Sequence, residues 1–199
     1  MSDKKTLRTR MRALRDAVSA EQRSHWSRRI CERAIGLPAY RVARVVHCFL
    51  SIQSEVDTRP LIEHALAHGK RAVVPVFVKG SDETPCAEVQ SLDDDEFEMG
   101  RFNLRVPKAM RPVATAEIDL IFVPLLAFAV PEDASQTGKV CRLGYGVGYY
   151  DRLLSRLRPD TPKIGLAFAL QRVTEMPMEA HDICLDAVLT EEGQWPRGL

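Results

Sequence analysis

The chain has 199 residues, 45% of them hydrophobic, which is enough for one domain with a sizeable core. Lysine and arginine number 28 against 27 for aspartate and glutamate, a formal net charge of +1, which argues against a nucleic-acid binder that relies on overall basicity. No stretch is apolar for long enough to span a membrane, and the opening MSDKKTLRTR has no apolar core, so neither a membrane contact nor a signal peptide is predicted.

Cys31, Cys48, Cys86, Cys141 and Cys184 are odd in number, far apart and never in a CxxC pair. That usage suits reduced thiols in a soluble cytoplasmic protein rather than a disulfide framework or a zinc site. Charge is uneven along the chain: Met1 to Arg33 holds ten Lys or Arg against four Asp or Glu, and Asp93-Asp94-Asp95-Glu96 with Glu98 forms an acidic run. Both read as solvated surfaces.

In chain order, Leu7, Met11, Leu14 and Val18 predict a basic amphipathic helix whose arginines beyond the first turn, Arg10, Arg12 and Arg15, face solvent. Ser19 with Gln22 resembles a capping box that starts a second helix, ending near Gly36-Leu37-Pro38. RVVHCFL at 44–50 predicts a buried strand. A loop through Glu55 follows, with a cap at Asp57 or Thr58, a helix over Pro60 to His68 closed by Gly69, and a second strand, RAVVPVFV, at 71–78. This β-α-β unit predicts parallel strands.

From Asp82 to Met99 no period is visible, and an exposed excursion is expected. DLIFVPLLAF at 119–128, KIGLAF at 163–168 and DAVLT at 186–190 read as further strands, the last of them ending the sheet. Between them a helix should follow Gly148, with Leu153, Leu154 and Leu157 inward. Near-continuous apolar strands alternating with helices predict a single α/β domain over residues 1–199, three-layer α/β/α with a mostly parallel central sheet. Ligands of such sheets sit beyond the carboxyl ends of strands. The loops at Glu55, at 124–128, at 142–152, at 168–171 and near Thr190 lie in that zone.

One of these, RLGYGVGYYDR at 142–152, concentrates chemistry. Gly144, Gly146 and Gly148 before a helix can present backbone N–H groups to an anion, with Arg142 and Arg152 adding charge suited to phosphate or carboxylate. Tyr145, Tyr149 and Tyr150 offer flat surfaces and hydroxyls, and Asp151 is a carboxylate suited to hydrated magnesium. A dinucleotide GxGxxG fails because Tyr149 stands at the third glycine, and no Gly-Lys-Ser/Thr follows to make a Walker A loop. The plainer reading is a tight turn with packed tyrosines.

RLGYGVGYYDRLL resembles the signature of the 5-formyltetrahydrofolate cyclo-ligase family, also called methenyltetrahydrofolate synthetases. The resemblance extends to KKTLR at 4–8, SIQSEVDT at 51–58, VVPV, DLIFVPLLAF, KIGLAFALQ and MPMEAHDICLDAVLT, in order and in approximate spacing. It implies conversion of 5-formyltetrahydrofolate to 5,10-methenyltetrahydrofolate, with ATP and Mg2+ as cofactors and release of ADP and phosphate.

By the same resemblance, Lys4, Lys5, Thr6, Leu7 and Arg8 with Arg142, Leu143, Gly144, Tyr145, Gly146, Val147, Gly148, Tyr149 and Tyr150 would bind ATP. Arg8, Leu50, Glu55, Tyr145, Gly146, Val147, Gly148 and Tyr149 would meet the folate; Asp151 and Asp182 would hold the metal; Arg142, Tyr149 and Asp151 would be catalytic. A monomer acting on a reduced folate, with no nucleic-acid partner, is expected. The chain departs from the family pattern in AVPEDASQTGKVC at 129–141, longer than the family's turn, and in Ala129, where an Asp commonly follows the Phe. A flap beside the nucleotide is expected there. His181 is read as solvent-facing or as standing behind the site, and Cys141 as a bystander. Two other readings are an ATP-using protein with a different substrate on the same scaffold, and a non-catalytic folate-binding protein.

Overall fold

Asp3 starts the first helix by accepting the Thr6 N–H at 2.7 Å, and α1 runs Lys4–Asp16. In the computed structural model, which describes residues 3–77, 83–100, 105–131, 139–179 and 181–196, the buried stripe of α1 is Leu7, Met11 and Arg15. Those positions recur at i, i+4 and i+8, one face of a helix. Leu14, expected inward, is 49% exposed, and Arg15, expected in solvent, is 1% exposed. After Met11 the inward place on the helix goes to an arginine rather than to the apolar Leu14.

Ser19 Oγ accepts the Gln22 N–H at 3.2 Å and α2 spans Ala20–Gly36, as the capping pattern predicts. A short α3, Pro38–Val42, follows. Strand β1 (Val45–His47), α4 (Arg59–Ala67) and β2 (Arg71–Pro75) form the expected unit, with β1 and β2 parallel and Val46 opposite Ala72.

The stretch expected as an excursion contributes to the sheet. Within it, β3 (Cys86–Val89) pairs antiparallel with β2, Val73 facing Glu88. The acidic run does form an exposed 3-10 turn at Asp94–Glu96, leading into β4 (Phe97–Met99) and its partner β5 (Arg105–Pro107). Then β6 (Pro112–Val113) extends the main sheet beside β3. The remaining elements are β7 (Leu120–Pro124), β8 (Ala127–Ala129), β9 (Cys141–Leu143), α5 (Tyr149–Ser155), β10 (Lys163–Leu166), β11 (Ala187–Leu189) and β12 (Gln194–Trp195). β12 pairs antiparallel with β11, so DAVLT is not the last strand.

Eight strands form the central sheet in the order β12-β11-β10-β7-β1-β2-β3-β6. The run β2-β1-β7-β10-β11 is parallel throughout, and helices flank it. Leu120, Ile121, Phe122 and Val123 of β7 are all fully buried, so both faces of the sheet are covered, as a three-layer α/β/α fold requires. Read by position in the chain, the parallel run is a 2-1-3-4-5 sheet, in which the winding reverses between β1 and β7. A crevice opens outside the carboxyl ends of strands at such a reversal.

Candidate active site

Two segments leave the sheet at that reversal. From β1 the chain enters Cys48–Thr58, a loop that staples itself: Ser51 Oγ donates to Val56 O at 2.7 Å, Thr58 Oγ1 donates to Phe49 O at 2.6 Å, and Thr58 N–H donates to Ser51 Oγ at 2.8 Å. Gln53 adopts φ +52, uncommon for a residue with a side chain, and the turn closes with Glu55 N–H on Ile52 O at 3.0 Å. From β7 the chain turns through Leu125 and Leu126 into β8. Gln171, fully buried, clamps this turn by donating to Leu125 O at 2.7 Å and Leu126 O at 3.1 Å while accepting the Phe168 N–H.

β8 pairs antiparallel with β9, Phe128 facing Arg142, and so delivers the glycine segment to the same end of the sheet. Helix α1 lies on it, with Leu7 and Met11 packed among Leu126, Ala127 and Leu143. Gly146 at φ +97 and Gly148 at φ +67 hold backbone conformations that side chains avoid. Gly144 is needed for space instead: a Cβ there would stand 2.8 Å from Arg142 Nη1.

The predicted residues meet in four contacts. Arg8 Nε donates to Gly144 O at 2.9 Å, fastening α1 to the glycine segment. Tyr145 OH donates to Glu55 Oε1 at 2.5 Å, and Ile52 N–H donates to Glu55 Oε2 at 3.0 Å. Burial pushes the Glu55 carboxyl above the usual range, against the Tyr145 and Ile52 hydrogen bonds and the nearby Arg15 charge. Arg142 Nη2 donates to Asp151 Oδ1 at 2.7 Å, and that oxygen also accepts the Ile183 N–H at 3.2 Å. Lys4 Nζ donates to Asp182 Oδ2 at 2.6 Å. Burial raises the Asp182 carboxyl, but hydrogen bonds from Lys4 and the Glu179 N–H outweigh it and hold the group below its ordinary value. Asp151 therefore grips the backbone next to Asp182.

Polar groups at the centre of this arrangement lack partners. Arg142 Nε, Tyr150 OH and both ring nitrogens of His47 are buried without a hydrogen bond among the described residues. They surround one ring: the Arg142 guanidinium lies 5.9 Å from the Tyr150 centroid and His47 meets the same ring edge-on at 6.1 Å. Burial drives the His47 pKa down to about 3, so its ring is neutral. Tyr149 is satisfied, donating to Pro85 O at 3.0 Å with its ring 4.4 Å from Phe77.

Not every expected residue joins in. Lys5 and Thr6 are exposed, and among the described residues no hydrogen bond ties their side chains to the glycine segment. The side chains of Leu7 and Leu143 are consumed by packing, Leu50 lies half-buried at the edge of the main core, and Val147 is 67% exposed. Residues 132–138 of the expected flap lie outside the described residues. Ala129 ends β8, and Lys139 donates to Asp186 at 2.5 Å. His181 is exposed beside Glu179, in keeping with its reading as solvent-facing. The sequence reading missed Arg15, His47 and Phe77; the available signal for Arg15 was its place four residues after Met11 on the face of Leu7.

A sequence model of the 5-formyltetrahydrofolate cyclo-ligase family matches residues 1–191. The protein named 5-formyltetrahydrofolate cyclo-ligase from Escherichia coli K12 is 34% identical over 191 residues, 93% of this chain and 98% of that one. Its namesake from Mus musculus is 29% identical over 202 residues, 96% and 95% of the two chains. The solution structure of Aquifex aeolicus 5,10-methenyltetrahydrofolate synthetase superimposes with a TM-score of 0.80 at 29% identity, covering 98% of this chain and 94% of that one. A Mycoplasma pneumoniae synthetase shares the fold with a TM-score of 0.75 at 24% identity, over 96% and 99% of the two chains. By sequence along nearly its whole length and by fold, the chain belongs to the 5-formyltetrahydrofolate cyclo-ligase family.

Proposed function

We propose that the protein converts 5-formyltetrahydrofolate to 5,10-methenyltetrahydrofolate at the expense of ATP, releasing ADP and phosphate, with Mg2+ as cofactor. The observation that carries this reading is that one short loop touches both halves of the expected site. Gly144 O accepts from Arg8 at 2.9 Å on one side, and the next residue, Tyr145, donates to Glu55 at 2.5 Å on the other. Nucleotide and folate would meet across that loop.

The chemistry explains the residue types. A formamide is a poor electrophile, because amide resonance feeds its carbonyl. Transfer of the ATP γ-phosphoryl group to the formyl oxygen turns that oxygen into a leaving group. Folate nitrogen 10 then attacks the formyl carbon and loses its proton, the carbon–oxygen bond breaks, and phosphate departs with the former formyl oxygen. Such a sequence asks the protein for alignment and charge neutralisation rather than a covalent nucleophile.

The donor set fits a nucleotide. Lys4, Arg8 and Arg142 supply cations, and Arg142 keeps a buried Nε without a partner among the described residues, a donor that suits a phosphate oxygen. The glycine segment leaves no room for a Cβ at Gly144 and admits none without strain at Gly146 and Gly148, which allows its backbone to approach phosphate closely. Asp151 and Asp182 would hold Mg2+, whose charge offsets that of the phosphates. Both carboxylates now face cations, Arg142 and Lys4, which would turn to phosphate oxygens as the metal takes their place. Glu55, with a free lone pair on each oxygen, suits the N–H groups of the pterin edge. Tyr149, with Phe77 at 4.4 Å and Tyr150 at 5.3 Å from its ring, would supply an apolar wall beside the bound substrates. Monomeric action in the cytoplasm completes the proposal.

The test is absorbance in the methenyltetrahydrofolate band on mixing protein, 5-formyltetrahydrofolate, Mg2+ and ATP. A rise is expected that disappears when ATP or Mg2+ is left out, and that falls on the order of 100-fold or more in Asp151→Asn while folate still binds. Folate binding without an ATP-dependent rise would favour a binding protein and sink the proposal.

A further inference from the structure

Arg15 is among the largest fully buried side chains of the molecule, and it is charged. A guanidinium taken out of water is costly unless its donors are met. Two are met by residues far away in sequence: Nε donates to Ser54 Oγ at 2.9 Å and Nη2 donates to Tyr145 OH at 2.9 Å. Ser54 in turn donates to the Asp16 carboxylate. Arg15 therefore ties α1 to the loop after β1 and to the glycine segment at once.

The direction of these bonds has a chemical consequence. A guanidinium only donates, so the Tyr145 hydroxyl must accept from Arg15 and is left with its one proton to give. That proton goes to Glu55 Oε1, 2.5 Å away. A protonated Oε1 would accept it only weakly, whereas a carboxylate oxygen accepts it strongly. Burial raises the Glu55 carboxyl overall, and the Arg15 charge, near the Tyr145 ring, works with the Tyr145 and Ile52 hydrogen bonds against that rise. Ile52 N–H fixes the second oxygen at 3.0 Å, and the remaining lone pairs have a set direction.

We propose that Arg15 is a positioning residue for the folate: acting through the Tyr145 hydroxyl, it orients Glu55 and keeps it an acceptor for the N–H groups of the pterin edge. This deepens the reading of Glu55 as a folate contact and rests on it. Arg15 touches neither substrate and does no chemistry itself.

The experiment is a double-mutant cycle with Arg15→Met, Tyr145→Phe and the double variant, reading the folate dissociation constant by calorimetry, KM for each substrate, kcat and the melting temperature. Arg15→Met keeps a long apolar stem in the space the arginine fills. Each single variant is expected to weaken 5-formyltetrahydrofolate binding on the order of 10-fold, the scale of one lost hydrogen bond to a charged group, and Arg15→Met is expected to change KM for ATP by less than about twofold. The double variant should be no weaker than either single one, because both cut the same path. Arg15→Lys, which keeps the charge without the fork, should recover part of the affinity.

Folate losses that multiply in the double variant, or an Arg15→Met protein that melts earlier yet binds folate normally, would overturn the inference. Should Arg15→Met fail to fold, the cycle run with Arg15→Lys decides by the same criterion. A wild-type protein that does not bind 5-formyltetrahydrofolate at all would overturn the functional reading and the inference together; wild-type binding with independent effects overturns the inference alone.

Discussion

A methyl group is the smallest probe of the glycine segment, and two of its positions should respond in opposite ways. At Gly146, with φ +97, an alanine is strained whatever the space around it, and its Cβ would also come 3.1 Å from Arg8 Cζ. Gly146→Ala is expected to lower stability by at least about 1 kcal/mol in thermal melts and to weaken ATP binding by disturbing Arg8. Gly144 has no such backbone demand, but its Cβ would press on Arg142 Nη1 at 2.8 Å. Gly144→Ala should therefore show no backbone strain of its own and lower kcat, because the guanidinium that holds Asp151 is displaced, with any loss in melting temperature matched by Arg142→Met. The reverse pattern, with Gly144→Ala less stable than Arg142→Met and Gly146→Ala harmless, would contradict this account of why each glycine is there.

Among the elements, α1 matters most to the site, since Lys4 and Arg8 reach it from the first turns and Arg15 from the last. Little apolar area holds it down: Leu7 and Met11 pack on Leu126, Ala127 and Leu143 in a cluster separate from the main core. Met11→Ala should destabilise by roughly 2–5 kcal/mol if α1 unfolds with the rest of the domain. Amide exchange in α1 should then rise together with that in β7. Faster exchange confined to α1 would show instead that the helix opens by itself. The same helix shows where the sequence was and was not legible. Apolar strands such as LIFVP and KIGL, and caps such as Ser19, announce themselves because burial on both faces and an orphan N–H leave local signatures. The strand Cys86–Val89 does not: it is four residues long, includes Glu88, and exists because β2 offers it an edge. Arg15 stayed hidden for a related reason. Its partners, Ser54 and Tyr145, are far along the chain, and Leu14 beside it gave the apolar period a better-looking position that the fold leaves exposed. The glycine segment is legible as a candidate ligand loop, but its bridge from Arg8 to Glu55 is a property of the assembled sheet end.

At the scale of the whole molecule, the winding reversal between β1 and β7 brings residues from both ends of the chain to one end of the sheet, and a buried histidine, His47, ends β1 there against the Tyr150 ring. His47 has a folded pKa pushed down to about 3 by burial, against an ordinary 6.5. As pH falls, the unfolded chain binds a proton near the ordinary value while the folded chain refuses it until about 3. The stability from a neutral His47 is thus complete above about pH 6.5 and is lost progressively as pH drops toward 3. His47→Val, matching Val45 and Val46 in its strand, should lose less stability than the wild type between about pH 7 and about pH 4.5 in urea titrations; equal losses would contradict the burial argument. The measurement that tests the central claim most directly follows the formyl oxygen itself. With 5-formyltetrahydrofolate carrying oxygen-18 in the formyl group, the account predicts that the label appears in the released inorganic phosphate, one atom per methenyltetrahydrofolate formed. Label found in water, with phosphate unlabelled, would mean that the formyl oxygen is never phosphorylated and that this site does not use ATP as described.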